Sequence, residues 1–224
     1  DTDALEAFNA VHFLVRFGKD EVIGREDDPD GVVFQQAKAL HLEYANRKIV
    51  AGQDKQGNSI MKPLFQEWLE SDRRRTYQRV VFAPPPLLVG TEEYNLWTGF
   101  AVQPQPGDCS RFLEHMFENI CCAHQESYDY LLKLLAFTVQ MPGTPTEVAL
   151  AMRGEIGTGK GTFMHALKLI FGRHYVQLDK SSHFVGHFNA ALSGKIVVFA
   201  DEAFWAGDKR ELGALKSLIT EPTL

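Results

Sequence analysis

The chain has 224 residues, 45% of them hydrophobic, and a formal net charge of −6. That length and apolar content can bury a real core in one large or two small domains. The acidic balance argues against a surface devoted to nucleic acid, although a ring of subunits could still grip a strand through a few local lysines. No run of 18 apolar residues and no basic-then-apolar leader occurs, so a cytoplasmic protein with no membrane partner is expected. The chain opens on Asp1 rather than Met, as a piece of a longer protein would. Cys109, Cys121 and Cys122 are odd in number and lack CxxC spacing, which suits reduced core thiols better than disulfides or a zinc site.

Near residues 11–25 the run "VHFLVRFGKDEVIGRE" alternates apolar and polar positions on either side of Gly18-Lys19-Asp20, which predicts a β-hairpin. A polar turn at "GQDKQGN", a helix over 62–71 and a strand in "TYQRVVF" follow. Arg73, Arg74, Arg75 and Arg79 close that helix and open that strand; a solvated helix end is favoured over a DNA or phosphate contact. "APPPLLVG" is a stiff break. Beyond it, Tyr94, Trp97 and Phe100 occur in an extended, aromatic-rich run and are expected to pack in a core rather than stack on bases. Asp108 stands where it can cap a helix, and helices are predicted over about 110–124 and 127–140.

The apolar run "EVALAM" reads as a buried strand and leads into "AMRGEIGTGKGTF", where Gly154, Gly157, Thr158, Gly159, Lys160, Gly161 and Thr162 form a glycine-rich loop. "KGTFMHALKLIFG" then reads as a helix with Phe163, Leu167, Ile170 and Phe171 on one face, ended by Gly172. Bare backbone ahead of a helix N-terminus exposes amide donors and a positive dipole, a nest for phosphate. The spacing from Gly154 to Gly159-Lys160 fits the P-loop pattern, in which the lysine reaches the β- and γ-phosphates. The pattern wants Ser or Thr directly after the lysine as a Mg²⁺ ligand; Gly161 stands there and Thr162 supplies the hydroxyl one residue later. A glycine turn without chemistry is the alternative, and the strand-then-helix context argues against it.

"GKIVVFADEAFW" reads as a turn, a buried strand over Ile196–Phe199, then Ala200 and the pair Asp201-Glu202. An open α/β sheet places its site at the C-terminal ends of its strands. Asp201 would hold Mg²⁺ and Glu202 would activate water for attack on the γ-phosphate of ATP. Between Lys160 and Asp201 there is room only for the loop helix, a short strand "YVQLD" and one further helix "GHFNAAL". That is compact for a monophosphate kinase, although such kinases also carry a "GKGT" run. His183 and His187 lack the partners of a metal site.

"GEIGTGKGTF", "FVGHFNAALSGKIVVFADEAFWAGDKRELGALKSLIT" and "YNLWTGFAVQPQPGDCSRFLEH" together resemble the primase-helicases of bacteriophages and mobile elements. Their motor belongs to the superfamily 3 helicases, relatives of the poxvirus-type nucleoside triphosphatase/primase. The resemblance implies an α/β fold with a P-loop, AAA+-like parallel sheet core, preceded by a helical collar and a small α+β domain. By that likeness residues 1–90 are the segment linking primase to helicase, 91–145 the collar, and 146–224 the N-terminal half of the ATPase core. It implies an ATP-binding motor segment of a DNA helicase acting in phage or mobile-element replication. Lys160, Asp201 and Glu202 would be catalytic; Gly154, Gly157, Thr158, Gly159, Lys160, Gly161 and Thr162 would bind ATP; Thr162 and Asp201 would bind Mg²⁺. Lys216 and Thr220 look like the opening of the family's third motif. Single-stranded DNA, a hexamer of copies and a primase would be the partners. The family's sensor asparagine and arginine finger would lie past Leu224, so this chain is expected to bind ATP but hydrolyse it poorly. A small-molecule phosphotransferase and a scaffold for primase or DNA are the readings from other classes.

Overall fold

The computed structural model describes residues 2–28, 31–178 and 192–200. The fold is mixed α/β, and the chain forms two compact units, one of residues 1–81 with 89–96 and the other of 82–88 with 97–224.

The first unit is built on the predicted hairpin. Strands β1 (His12–Phe17) and β2 (Asp20–Arg25) pair antiparallel with Phe17 opposite Asp20, so Gly18 and Lys19 make a two-residue turn. Gly18 takes φ 63°, which a glycine adopts without a Cβ penalty and a two-residue hairpin turn needs. β3 (Val33–Gln35) adds to β2, and β6 (Thr76–Tyr77) adds parallel to β1, giving the order β3-β2-β1-β6. A second hairpin, β4 (Lys48–Gln53) with β5 (Ser59–Pro63), turns where Asp54 Oδ1 accepts from the amides of Gln56 and Asn58 at 2.8 and 2.9 Å. Two short strands, β7 (Arg79–Val81) and β8 (Glu93–Asn95), pair parallel.

Side chains alternate across the central sheet, so each face meets its own cover. Leu14 and Ile23 join Phe8, Leu40, Phe65 and Trp68 from the helices α1 (Thr2–Val11), α2 (Ala37–Glu43) and α3 (Leu64–Glu70), and Tyr44 just past the end of α2. Phe13, Val15 and Val22 on the other face join Tyr94, Tyr77 and Val80. Asn9 ties this unit together: its Oδ1 accepts from Trp68 Nε1 (2.9 Å) and the Arg75 amide (3.0 Å), and its Nδ2 donates to Arg73 O (2.9 Å).

The four arginines are spent inside this unit. Arg75 donates to both Glu26 carboxylate oxygens, at 2.7 and 3.1 Å, and lies over the rings of Phe13 and Tyr77. Burial pushes the Glu26 pKa up, but the hydrogen bonds from Arg75 and Tyr94 outweigh it and the net shift is downward. Arg74 donates to Leu69 O at the end of α3, Arg79 pairs with Glu93, and Arg73 reaches Glu6 at 3.6 Å. The expected solvated helix end therefore describes Arg74 alone; Arg73, Arg75 and Arg79 pair with carboxylates, Arg75 through a fork of two hydrogen bonds.

In the second unit, α4 (Ser110–His115) follows Asp108, whose Oδ1 accepts from the Ser110 amide at 2.9 Å. It runs through a π-turn (Met116–Ile120), and α5 (Gln125–Gln140) comes next. α6 (Lys160–Phe171) buries Phe163, Met164, Leu167 and Phe171, and stops at Gly172, which takes φ 52°. β9 (Tyr175–Leu178) and β10 (Val197–Ala200) pair parallel, Tyr175 opposite Val197. Their apolar residues close on α6 and on Met116, Cys121 and Leu131. Of the three cysteines, none is disulfide-bonded and only Cys121 is buried; the expectation of core thiols fails at Cys109 and Cys122, which are exposed. Tyr94 stacks on Phe13 at 4.0 Å in the first unit, while Trp97 stacks on His174 at 4.4 Å and Phe100 meets Phe171 edge-on in the second. All three aromatics are packing residues.

Among the described residues, two histidines are buried. His12 Nδ1 donates to Phe8 O (3.0 Å), while its Nε2 has no partner among the described residues. His174 Nδ1 donates to Gly194 O (2.7 Å), and its Nε2 accepts from the Thr98 amide (3.3 Å). Burial lowers the pKa of both below the ordinary imidazole value. A depressed imidazole contributes stability that is fully present above the unfolded pKa of about 6.5 and is lost as pH falls toward the folded value. The urea midpoint is expected to drop between pH 7.5 and pH 5.5; an unchanged midpoint would contradict the neutral assignment.

Candidate functional site

The glycine-rich loop lies at the N-terminus of α6. Gly157 and Gly159 take φ 86° and 87°, left-handed values that side chains other than glycine seldom adopt. Gly159 is the residue before the helix, and its carbonyl accepts from the Phe163 amide at 3.1 Å. The amides of Lys160, Gly161 and Thr162 therefore open the helix with no intrahelical acceptor, at its positive dipole end. Gly154 sits beside Thr158, whose hydroxyl donates to Glu155 O at 3.0 Å.

Lys160 folds back over this loop. Its Nζ donates to Gly154 O (2.8 Å), Glu155 O (2.9 Å) and Thr158 Oγ1 (3.1 Å), so all three ammonium protons are matched by loop oxygens. The cation and the free helix-end amides are thus brought together on one short stretch. A Cβ at Gly161 would meet nothing within 4 Å, and Thr162 is exposed on the first turn.

The expected strand over Glu147–Met152 is a correction. This stretch has no ladder, and Val148 and Leu150 are 44% and 42% exposed. A strand is made by its neighbour's hydrogen bonds, and among the described residues of this unit β9 and β10 pair only with each other. The buried strand expected over Ile196–Phe199 is present as β10 (Val197–Ala200), but it is not buried throughout: Val198 is 38% exposed. Asp201, Glu202, Lys216, Thr220, His183 and His187 lie outside the described residues. Among those described, no group of three His, Cys, Asp or Glu could hold a metal ion.

Sequence reasoning missed one pair that touches the loop. His115, at the end of α4, donates from Nε2 to Gly159 O (3.1 Å), and its Nδ1 accepts from Asn119 Nδ2 (2.8 Å). The one local signal is the four-residue spacing of His115 and Asn119 on a helix.

None of the described helices is long and apolar enough to cross a membrane. Residues 152–224 match a family of unknown function, DUF5906. No curated protein matches the chain in sequence. Among solved structures, the chain is similar to the apo structure of the NrS-1 C-terminal region (305–718), with a TM-score of 0.69 and 20% identity over 100% of this chain and 52% of that one. Two A-form apo structures of the same region give TM-scores of 0.67 and 0.66 at 18% and 19% identity, covering 98% and 100% of this chain and 50% and 51% of theirs. The chain spans about half the length of these neighbours and shares with them a fold.

Proposed function

We propose that the loop Gly154–Thr162 binds the phosphates of ATP, and that the chain is the ATP-binding segment of a superfamily 3-type DNA helicase motor used in phage or mobile-element replication. The observation that carries this is the conjunction of two left-handed glycines, three free amides at the start of α6 and the Lys160 ammonium within one loop. Such an arrangement offers oxygens of either phosphate the donors they need. In this reading residues 1–90 link a primase to the motor, 91–145 form its collar, and 146–224 are the N-terminal half of a P-loop, AAA+-like core. Thr162 and Asp201 would hold Mg²⁺, which supplies charge neutralisation on the phosphates, and Glu202 would orient water. Single-stranded DNA would run through a ring, six copies in this reading, with a primase domain or protein as the further partner.

The loop geometry adds one requirement. Because Lys160 already satisfies itself on Gly154, Glu155 and Thr158, ATP must draw Nζ off these acceptors. The test is calorimetry with ATP, with and without Mg²⁺, on the chain and on Lys160→Ala. Micromolar binding by the chain, weakened about 10- to 100-fold in the variant, is the expected result for loss of a charge-assisted phosphate contact. Equal binding by both, or none by the parent chain, overturns the reading.

A further inference from the structure

His115 stands on α4, 44 positions ahead of Gly159 in sequence, yet its ring is pressed against the last glycine of the loop. A Cβ on Gly159 would come 2.2 Å from His115 Cε1 and 2.9 Å from Nε2. A carbonyl oxygen only accepts, so the proton at this contact is on Nε2; Nδ1 is then the acceptor that the Asn119 amide nitrogen finds at 2.8 Å. Asn119 thereby selects the imidazole tautomer that can donate to the loop, as the partner of one ring nitrogen commonly does.

The atom that His115 holds is a sensitive one. Gly159 O is also the acceptor for the Phe163 amide, the first hydrogen bond of α6. A trans peptide is planar, so fixing the Gly159 carbonyl also fixes the Lys160 N–H, which points the opposite way. That N–H is one of the helix-end amides without an intrahelical acceptor. His115 is itself held on both sides: Phe112 stacks parallel to Phe163 of α6 at 6.2 Å, and Met116 is fully buried in the core that contains Phe163 and Met164. The segment α4 therefore has a rigid seat on α6 and one polar contact on the loop.

We infer that His115, oriented by Asn119, is a positioning residue that sets the Gly159–Lys160 peptide for phosphate binding and so couples α4 to nucleotide occupancy of the loop. This rests on the reading of the loop as a nucleotide site. Loss of one positioning hydrogen bond should weaken ATP binding about tenfold in His115→Ala. His115→Gln, whose amide nitrogen can take the place of Nε2, should recover most of that loss, and Asn119→Ala should fall between. In the absence of nucleotide, the Phe163 amide should exchange its hydrogen faster in His115→Ala than in the parent chain and return toward the parent rate in His115→Gln.

The decisive comparison sets these variants beside Lys160→Ala, with urea midpoints recorded for all. If His115→Ala binds ATP within twofold of the parent while Lys160→Ala loses it, the positioning role is overturned and the nucleotide site stands. If ATP binds the parent and Lys160→Ala equally, or neither, the nucleotide site is overturned, and an unchanged Phe163 exchange rate in His115→Ala overturns the hold on the loop as well. A His115→Ala defect that His115→Gln does not repair, with a fall in urea midpoint to match, assigns the residue to fold support and overturns the inference.

Discussion

Gly24→Ala is expected to destabilise the first unit by about 3 kcal/mol, a large effect for a single methyl group. Gly24 stands directly opposite Phe13 in the β1–β2 register. An added Cβ would lie 2.1, 2.5 and 2.6 Å from three carbons of the Phe13 ring, far inside contact distance. The ring has nowhere to go. It is fully buried, stacked on Tyr94 at 4.0 Å, met edge-on by Phe34 and Tyr77, and covered by the Arg75 guanidinium 5.5 Å from its centroid. Glycine at this position is thus a seat for the aromatic ring across the ladder rather than a weak point in a strand. Urea unfolding measures the cost. In the background of Phe13→Leu, where the ring is gone, the same alanine should cost much less, and a double-mutant cycle that shows no coupling would refute the account.

Trp68→Ala should be comparably severe, about 3–5 kcal/mol. Trp68 is the largest fully buried side chain described, packed among Phe8, Phe65, Leu40 and Tyr44. Its indole N–H is also one of two donors to Asn9 Oδ1, the other being the Arg75 backbone amide. Truncation leaves a void among residues from three helices and strips the Asn9 carbonyl of half its donors. Trp68→Phe helps separate the two contributions, since it keeps most of the ring volume but loses the hydrogen bond, for which about 1 kcal/mol is expected. A loss in Trp68→Phe as large as in Trp68→Ala would show that the hydrogen bond, not the packing, dominates.

Local signals account for what was legible in the sequence. The hairpin followed from alternation around Gly18-Lys19, and α6 from its apolar face closed by Gly172. β9 and β10 followed from short apolar runs. Long-range partners leave no such trace. Nothing in "TYQRVVF" says that Thr76 will lie beside Leu14, and nothing near His115 says which carbonyl its ring will meet. The failed strand at Glu147–Met152 has the same origin, because an apolar run reports a preference for burial while a strand requires a neighbouring edge. Helix α1 went unread because the alternation that begins at Val11 is the stronger pattern. At the candidate site the loop and its lysine were visible in advance as residue types; the Lys160 contacts and the His115–Asn119 pair emerged only from the fold.

The path of the chain between its two units has a consequence of its own. Residues 82–88 leave the first unit and belong to the second, and 89–96 return to supply β8 before the chain departs again. Phe82 contributes there to the rings around His174, and Pro85 O accepts from the Gly143 amide at 3.2 Å. Along the sequence the two units therefore alternate rather than follow one another. No single cut in the backbone separates residues 1–81 and 89–96 from residues 82–88 and 97–224, so a truncation at residue 81, 88 or 96 always leaves one unit without part of its own chain.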